Sequence, residues 1–168
     1  MTMRKNEQPM TWQIFKREAS KYFSIDATTH FALPAGEESK LHQLHCVMGI
    51  SIGVADLMNA ITGKDDEKVT EIIGELFFYT ANLERFLGIR QELPKGVNGI
   101  KVYPDEWLVG MMEVMNHYKD SIFFMRYLDK EYMEQHIAMV KHTLCGLAVN
   151  GGQDVVSIME MTLKRKAN

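Results

Sequence analysis

The sequence predicts an all-α fold, a bundle of about six helices in one domain. In several segments, apolar residues recur with the 3.6-residue period of an amphipathic helix. Aspartates stand where most of these segments begin and glycines where some of them end, as is typical of helix caps. A chain of 168 residues can bury one substantial core but is short for two domains, so a single domain over residues 1–168 is expected.

The first half of the chain contains three predicted helices. The first covers residues 11–23 and places aromatic side chains on one face. The second, residues 41–61, is apolar almost all round, which predicts a central position in the bundle. A turn at residues 63–66 separates it from a third helix that ends at Leu87, before Gly88. The second and third helices are therefore expected to form an antiparallel hairpin.

The second half contains a linker and three further predicted helices. Glycines and prolines between residues 88 and 104 predict the linker, with a short extended segment at residues 100–103. The expected layout is a core hairpin, a second hairpin and a C-terminal helix, at residues 41–89, 105–149 and 154–166. The aspartates expected to cap helices are Asp65 or Asp66, Asp129 and Asp154. The second hairpin is either an internal repeat of the first or simply another antiparallel pair of helices.

Composition limits the possible functions. A net charge of −3 gives the chain no overall basic field, so non-specific binding to nucleic acid or to an anionic membrane is not indicated. The N-terminus is polar through Gln8 and lacks a signal-peptide apolar region, so a cytoplasmic location is expected. Cys46 and Cys145 lie in apolar runs, which predicts reduced, buried thiols.

The core hairpin carries a family resemblance. Helix two contains Leu44-His45-Cys46-Val47-Met48-Gly49-Ile50-Ser51-Ile52-Gly53-Val54-Ala55-Asp56, and helix three contains Glu71-Ile72-Ile73-Gly74-Glu75-Leu76. This pattern resembles the core hairpin of the MazG-like nucleoside triphosphate pyrophosphohydrolases. Members of that all-α family carry E-x-x-E on the first helix and E-x-x-D on the second. The four carboxylates hold magnesium, and the enzymes release pyrophosphate from a nucleoside triphosphate.

Only half of the family's metal ligands have counterparts here. The resemblance puts Gly53 and Asp56 at the two positions of the first helix, and Ile72 and Glu75 at those of the second. Gly53 and Ile72 have no side-chain oxygen. Glu71 lies one residue before Ile72, about 100° round the helix, and replaces it only if the register shifts. The expected metal ligands are therefore Asp56, Glu75 and Glu71, and magnesium binding is expected to be weak.

Other polar residues share the helix faces of these carboxylates. Tyr79 and Asn82 follow Glu75 by one and two helical turns, and His45 and Asn59 lie on the face of Asp56. We expect these four residues to contact a base or a ribose, and Lys64 and Arg85 to contact phosphates. The alternatives are that Tyr79 and His45 belong to the core and that the basic residues are ordinary surface charges. In the second hairpin, His117 and Asp120 share a helix face. They are either additional metal ligands or an ordinary pair of surface residues.

The resulting hypothesis is a protein with a MazG-like fold that binds a nucleotide or a nucleotide signal. Its catalytic site is eroded, since two of the four metal ligands are missing, and no residue is assigned a catalytic role. A phage protein that sequesters a host nucleotide signal against host defence is its concrete form, by family analogy alone. One alternative is an active, magnesium-dependent nucleoside triphosphate pyrophosphohydrolase. A second is a helical inhibitor that binds another protein. Since family relatives are dimers or tetramers, the resemblance also implies a homo-oligomer.

Overall fold

A computed structural model describes residues 9–23, 38–97, 104–123 and 129–168, and in these ranges the chain forms six α-helices and no strand. The helices are α1 (Trp12–Ala19), α2 (Glu38–Gly63), α3 (Asp66–Leu87), α4 (Pro104–Phe123), α5 (Lys130–Asn150) and α6 (Val155–Lys166). The predicted all-α fold with about six helices is confirmed. The predicted extended segment at residues 100–103 lies outside the described residues.

Short polar side chains set the helix starts where the sequence predicts them. Asp65 caps α3 by accepting a hydrogen bond from the backbone N–H of Lys68 at 3.0 Å. Asp129 and Asp154 cap α5 and α6 in the same way. At the other end of α3, Gly88 has a φ of 66°, in the left-handed region that favours glycine. The capping predictions are therefore confirmed.

Helix α1 is shorter than predicted, because it ends at Ala19 and not at residue 23. The Ser20 hydroxyl donates to the carbonyl of Arg17 at 2.7 Å. The next two backbone N–H groups bond three residues back, in the tighter pattern that commonly ends a helix. This turn directs Phe23 toward α2 and α3, where its ring contacts aromatic side chains.

The central helix is α3, not α2 as the apolar composition of α2 predicted. Helix α3 contacts α1, α2, α5 and α6, whereas α2 contacts α3 and α4. The reason is that the apolar residues of α2 are divided between two faces. One face packs into the core, and the other leaves Met48 46% and Ile52 61% exposed. By length and composition the part of α2 from Lys40 to Gly63 is apolar enough to cross a membrane, a property that core helices of soluble proteins share.

One hydrophobic core joins the described helices. Its fully buried large side chains include Trp12, Phe15, Ile50, Leu57, Ile73, Leu76, Phe77, Leu83, Met133 and Tyr118. Both cysteines are buried and free, as expected. Burial raises the pKa of Cys145 to about 11, although the nearby Lys141 ammonium opposes the shift, so this thiol stays protonated at neutral pH.

Candidate functional site

A groove between α2 and α3 contains the residues predicted to bind metal. Its volume is about 250 Å³, and it is lined by Gly49, Ile52, Gly53 and Asp56 of α2 and by Lys68, Glu71, Ile72, Glu75 and Tyr79 of α3. Asp56, Glu71 and Glu75 thus share one groove. Tyr79, predicted to contact a nucleotide, belongs to the same lining.

Two glycines let α2 and α3 approach closely along this groove. A Cβ atom on Gly49 would lie 2.7 Å from Cε1 of Tyr79, and a Cβ atom on Gly53 would lie 2.7 Å from Cδ2 of Leu76. Real Cβ atoms do not approach carbon atoms so closely, so both positions need glycine or a shift of the facing side chain. Gly53 therefore serves the packing of two helices at a position where the family resemblance implies a metal ligand.

The two glutamates of the groove are ion-paired to the last turn of α6. Lys166 Nζ lies 2.7 Å from Oε2 of Glu75, and Arg165 Nη1 lies 3.4 Å from Oε1 of Glu71. Lys68 Nζ lies 3.4 Å from the other carboxylate oxygen of Glu71. Cations of the chain itself therefore occupy carboxylate oxygens that a metal ion would need. This arrangement could not be predicted from the sequence, because the basic residues of α6 suit a helix C-terminus without any partner.

A close contact between α3 and α6 explains how these basic residues reach the glutamates. Gly74 lies between Glu71 and Glu75, and a Cβ atom there would be 2.1 Å from Oγ1 of Thr162. Thr162 is buried, and its hydroxyl donates to the carbonyl of Ile158 at 2.9 Å. Because Gly74 has no side chain, α6 lies against α3 at this point, and its next turn carries the basic residues past the glutamates.

The groove residues do not fit a bound magnesium ion as they stand. Among the described residues, no three acidic, histidine or cysteine side chains converge in a way that would hold a metal ion. Glu71 and Glu75 share the groove with Asp56, but both already have cationic partners. A metal ion would compete with these cations for the carboxylate oxygens. Weak magnesium binding therefore stays a prediction.

An aromatic cluster adjoins the groove at Tyr79. The His45 ring lies 5.7 Å from the Tyr79 ring and 5.5 Å from the Phe23 ring, measured between centroids. Partial burial, and to a lesser degree the neighbouring His42, lowers the pKa of His45, which favours a neutral imidazole at pH 7. Lys166 Nζ lies 4.6 Å from the centroid of the Phe78 ring, so the α6 cation also contacts this cluster.

The other predicted nucleotide-binding residues lie away from the groove lining. Asn82 is fully buried and donates to the carbonyl of Phe78 at 2.9 Å, so it lies in the core and not on the groove face. Lys64 stands at the turn after α2 with a φ of 55°. Arg85 lies over the Phe86 ring at 5.2 Å. Asn59 is exposed on the outer face of α2.

In the second hairpin, His117 has a structural role. His117 Nε2 accepts the backbone N–H of Asp129 at 3.1 Å, and its ring lies 5.0 Å from that of Tyr132. This nitrogen is therefore engaged at the start of α5, where α4 and α5 meet. No contact between His117 and the groove residues is found among the described residues.

A buried charged cluster that was not predicted from the sequence lies elsewhere in the bundle. The carboxylate of Glu84, 0% exposed, accepts hydrogen bonds from Lys141 Nζ at 2.5 Å, from Lys16 Nζ at 2.8 Å and from Trp12 Nε1 at 2.9 Å. Lys141 is 1% exposed and also faces the Trp12 ring. Glu84 and Lys141 both fall on the apolar period of their helices, and a charge at such positions is the sequence feature that predicts a buried pair.

A larger cavity, of about 560 Å³, has a different character. It lies where α1 begins, between α5 and α6, and most of its lining is apolar, including Trp12, Leu93, Val97, Val149, Val155 and Met159. Its charged lining residues are Glu92 and Lys95. The groove between α2 and α3 differs in that four charged side chains line it, Asp56, Lys68, Glu71 and Glu75.

Comparison with known proteins gives no match, whether with family models, with curated proteins or with solved structures. The MazG-like resemblance of the core hairpin therefore stays a prediction from its residues.

Proposed function

We propose that this protein binds a nucleotide, or a signal derived from one, in the groove between α2 and α3, and hydrolyses it poorly or not at all. The observation that carries the proposal is the pairing of Glu75 with Lys166 and of Glu71 with Arg165 and Lys68. These contacts supply positive charge beside carboxylates that would otherwise repel a phosphate group.

The charge balance of the groove supports binding without a metal. In a metal-dependent pyrophosphohydrolase, magnesium links the carboxylates to the phosphates and neutralises both. Here two of the three groove carboxylates are already paired with fixed cations, and Lys68 also lines the groove. A phosphate bound at Lys68 needs no divalent ion, but it also lacks the metal that would activate water for hydrolysis.

The aromatic side of the groove supports a base as the second part of the ligand. Tyr79 lines the groove, and the neutral imidazole of His45 lies edge-on to its ring. Tyrosine and histidine offer ring faces for stacking together with hydrogen-bonding groups at their edges. Sequestration of a nucleotide signal is the form of this activity that the family resemblance suggests, since a protein that binds without turnover removes its ligand from solution.

A ligand panel tests the proposal. Nucleoside mono-, di- and triphosphates and cyclic nucleotides are added to the protein in EDTA and, separately, in Mg²⁺, and melting temperature and pyrophosphate release are measured. At least one nucleotide should raise the melting temperature in EDTA. At a hundredfold its Kd it adds about 2.7 kcal/mol, which is several degrees for a domain of this size. Pyrophosphate release should stay at background.

Two matched lysine variants locate the binding. Lys68 and Lys130 are comparably exposed, and each pairs with a glutamate one turn on, at 3.4 Å and 3.8 Å respectively. Lys68→Gln should weaken the melting shift, while Lys130→Gln should leave it unchanged. Equal effects of both variants would overturn the assignment to the groove. Strong Mg²⁺-dependent pyrophosphate release that Glu75→Gln abolishes would instead establish the alternative, an active pyrophosphohydrolase.

A further inference from the structure

The cavity at the start of α1, of about 560 Å³, is a hollow with an uncharged floor. Trp12, Cys145 and Met159 form this floor, and each is at most 4% exposed. The Cys145 thiol stays protonated at neutral pH because burial raises its pKa to about 11. Apolar residues from three segments form the wall around the floor, and they are Leu93, Pro94, Val97, Val149, Val155 and Val156.

The wall that follows α3 is fastened to α1. Gln13 Nε2 donates to the carbonyl of Gln91 at 3.4 Å and to Oε1 of Glu92 at 2.9 Å. Further along the same segment, Gly96 has a φ of 70°, and the side chain of Val97 is buried. The hollow is therefore formed before any ligand enters it, which reduces the entropic cost of binding.

The charge available at the mouth of this cavity is positive. Lys95 is exposed and lines the cavity, and no ion pair or hydrogen bond of Lys95 is found among the described residues. The other charged lining residue, Glu92, already accepts the bond from Gln13. Thr11, the N-cap of α1, also belongs to the lining, and the start of a helix adds partial positive charge. An anionic group on a ligand would complement this mouth.

We propose that this cavity binds an amphipathic carboxylate, a small molecule with an unbranched apolar chain and one terminal carboxylate. The chain lies in the hollow over Trp12 and Met159, and the carboxylate pairs with Lys95. The volume of the cavity is within the range of about 300–1,000 Å³ that is usual for small-molecule sites. The cavity shares no lining residue with the groove between α2 and α3, so this second site does not depend on the proposed nucleotide binding.

The distribution of apolar surface favours a small molecule over a protein partner. On the rim, Val149 and Val156 are exposed, whereas the other apolar lining residues are buried or partly buried. A stable protein interface covers about 800 Å² on each partner. Two rim valines provide far less than that, because most of the apolar surface lies inside the hollow, where a single alkyl chain can reach it.

A series of chain lengths tests the apolar part of the site. Hexanoate, octanoate and decanoate, each below its micelle-forming concentration, are titrated into the full chain carrying Trp107→Phe, in which Trp12 is the remaining tryptophan. Binding should change the emission of Trp12, because its ring is part of the floor. Each added methylene should lower the Kd about fourfold. An unchanged Trp12 emission, or equal Kd values for the three acids, would overturn the proposal.

Two matched α6 variants locate the ligand. Val156 and Met161 are 37% and 39% exposed, but only Val156 lines the cavity. Val156→Asp should weaken octanoate binding at least tenfold, because it adds a like charge to the wall, and Met161→Asp should bind octanoate like its parent. Equal weakening by both variants would overturn the assignment to this cavity. Circular dichroism verifies that each variant is folded.

The carboxylate is tested separately from the chain. Octanoate should bind more tightly than octylamine, and Lys95→Gln should weaken octanoate severalfold while leaving octanol unchanged. Lys164→Gln, at an exposed lysine outside the cavity, should change neither ligand. Octylamine that binds as tightly as octanoate, or octanoate binding that Lys95→Gln does not weaken, would overturn the proposed pairing of the carboxylate with Lys95.

Discussion

Lys166 Nζ lies 2.7 Å from Oε2 of Glu75, so a cation from the last helix is bound to the carboxylate at which the family resemblance implies a metal. Both side chains are about one-third exposed. Such a pair contributes only about 0–1 kcal/mol to stability. The pair has a larger effect on metal binding, because a divalent ion must displace Lys166 before it can bind the Glu75 carboxylate.

Removal of the α6 cations should increase metal affinity. In the double variant Lys166→Met, Arg165→Met, the carboxylates of Glu75 and Glu71 lose their α6 partners, and the net charge near the groove falls by two. Titration calorimetry with Mn²⁺ should show affinity at least several-fold higher than that of wild type. Lys164→Met is the control, because no ion pair of Lys164 is found among the described residues. Equal Mn²⁺ affinity in wild type and double variant would contradict the displacement argument.

Gly74→Ala should destabilise the fold by separating α6 from α3. The new methyl group would meet Oγ1 of Thr162 at 2.1 Å, and this hydroxyl is held by its bond to Ile158. Overpacking of this kind costs about 1–3 kcal/mol, which urea denaturation measures. Gly63→Ala is the matched control, since nothing lies within 4 Å of a Cβ atom at this helical glycine. That variant should be neutral or slightly stabilising.

A second variant separates the steric effect from other effects of Gly74→Ala. Thr162→Ala removes the hydroxyl that the new methyl group meets, so the double variant should recover most of the lost stability. If the double variant loses as much stability as the two single variants lose together, the close approach of Gly74 and Thr162 is not the cause of the destabilisation by Gly74→Ala.

Local rules predicted the helices and their caps because the physical cause lies within a few residues. Asp65, Asp129 and Asp154 cap their helices by bonds to backbone N–H groups three residues on, and Gly88 ends α3 through its own φ. The end of α1 was missed because it depends on where the chain must turn to bring Phe23 against α2 and α3.

The site was predictable only in part because its decisive contacts join distant segments. Helical spacing put Asp56 and Glu75 on facing stripes, and both line the groove. The same spacing could not distinguish Tyr79 from Asn82, although the first lines the groove and the second is buried. The pairing of Glu75 with Lys166 joins residues 91 positions apart, and no local pattern encodes it.

The lowered pKa of His45 should make stability fall in mild acid. An unfolded histidine has a pKa of about 6.5, and partial burial lowers the pKa of His45 in the folded state. Above pH 6.5 both states are neutral and the contribution is fully present. As the pH falls below about 6.5, the unfolded state binds the proton first, so the free energy of unfolding decreases until the folded pKa is reached.

A matched pair of histidine variants tests whether His45 causes this decrease in the free energy of unfolding at lower pH. His45→Phe keeps an aromatic ring beside Phe23 and Tyr79 and should remove part of the decrease in unfolding free energy between pH 7 and pH 5. His142→Phe, which replaces another exposed histidine, on α5, should leave the decrease unchanged. Urea denaturation at several pH values provides the comparison, and identical slopes for His45→Phe and wild type would contradict the assignment.

Lys141→Met should lower the free energy of unfolding by about 3–5 kcal/mol, because the fully buried Glu84 carboxylate then loses one of its two cationic partners. Lys16 and Trp12 still donate to Glu84, so the lower end of that range is expected. Adding Glu84→Leu removes the buried charge itself, and the double variant should lose less stability than the two single variants together.

Lys130→Met is the control. It breaks an exposed pair with Glu134 and should lower the free energy of unfolding by no more than about 1 kcal/mol. Urea denaturation gives all four values. A cost for Lys141→Met as small as that for Lys130→Met would show that Lys141 does not stabilise the Glu84 carboxylate.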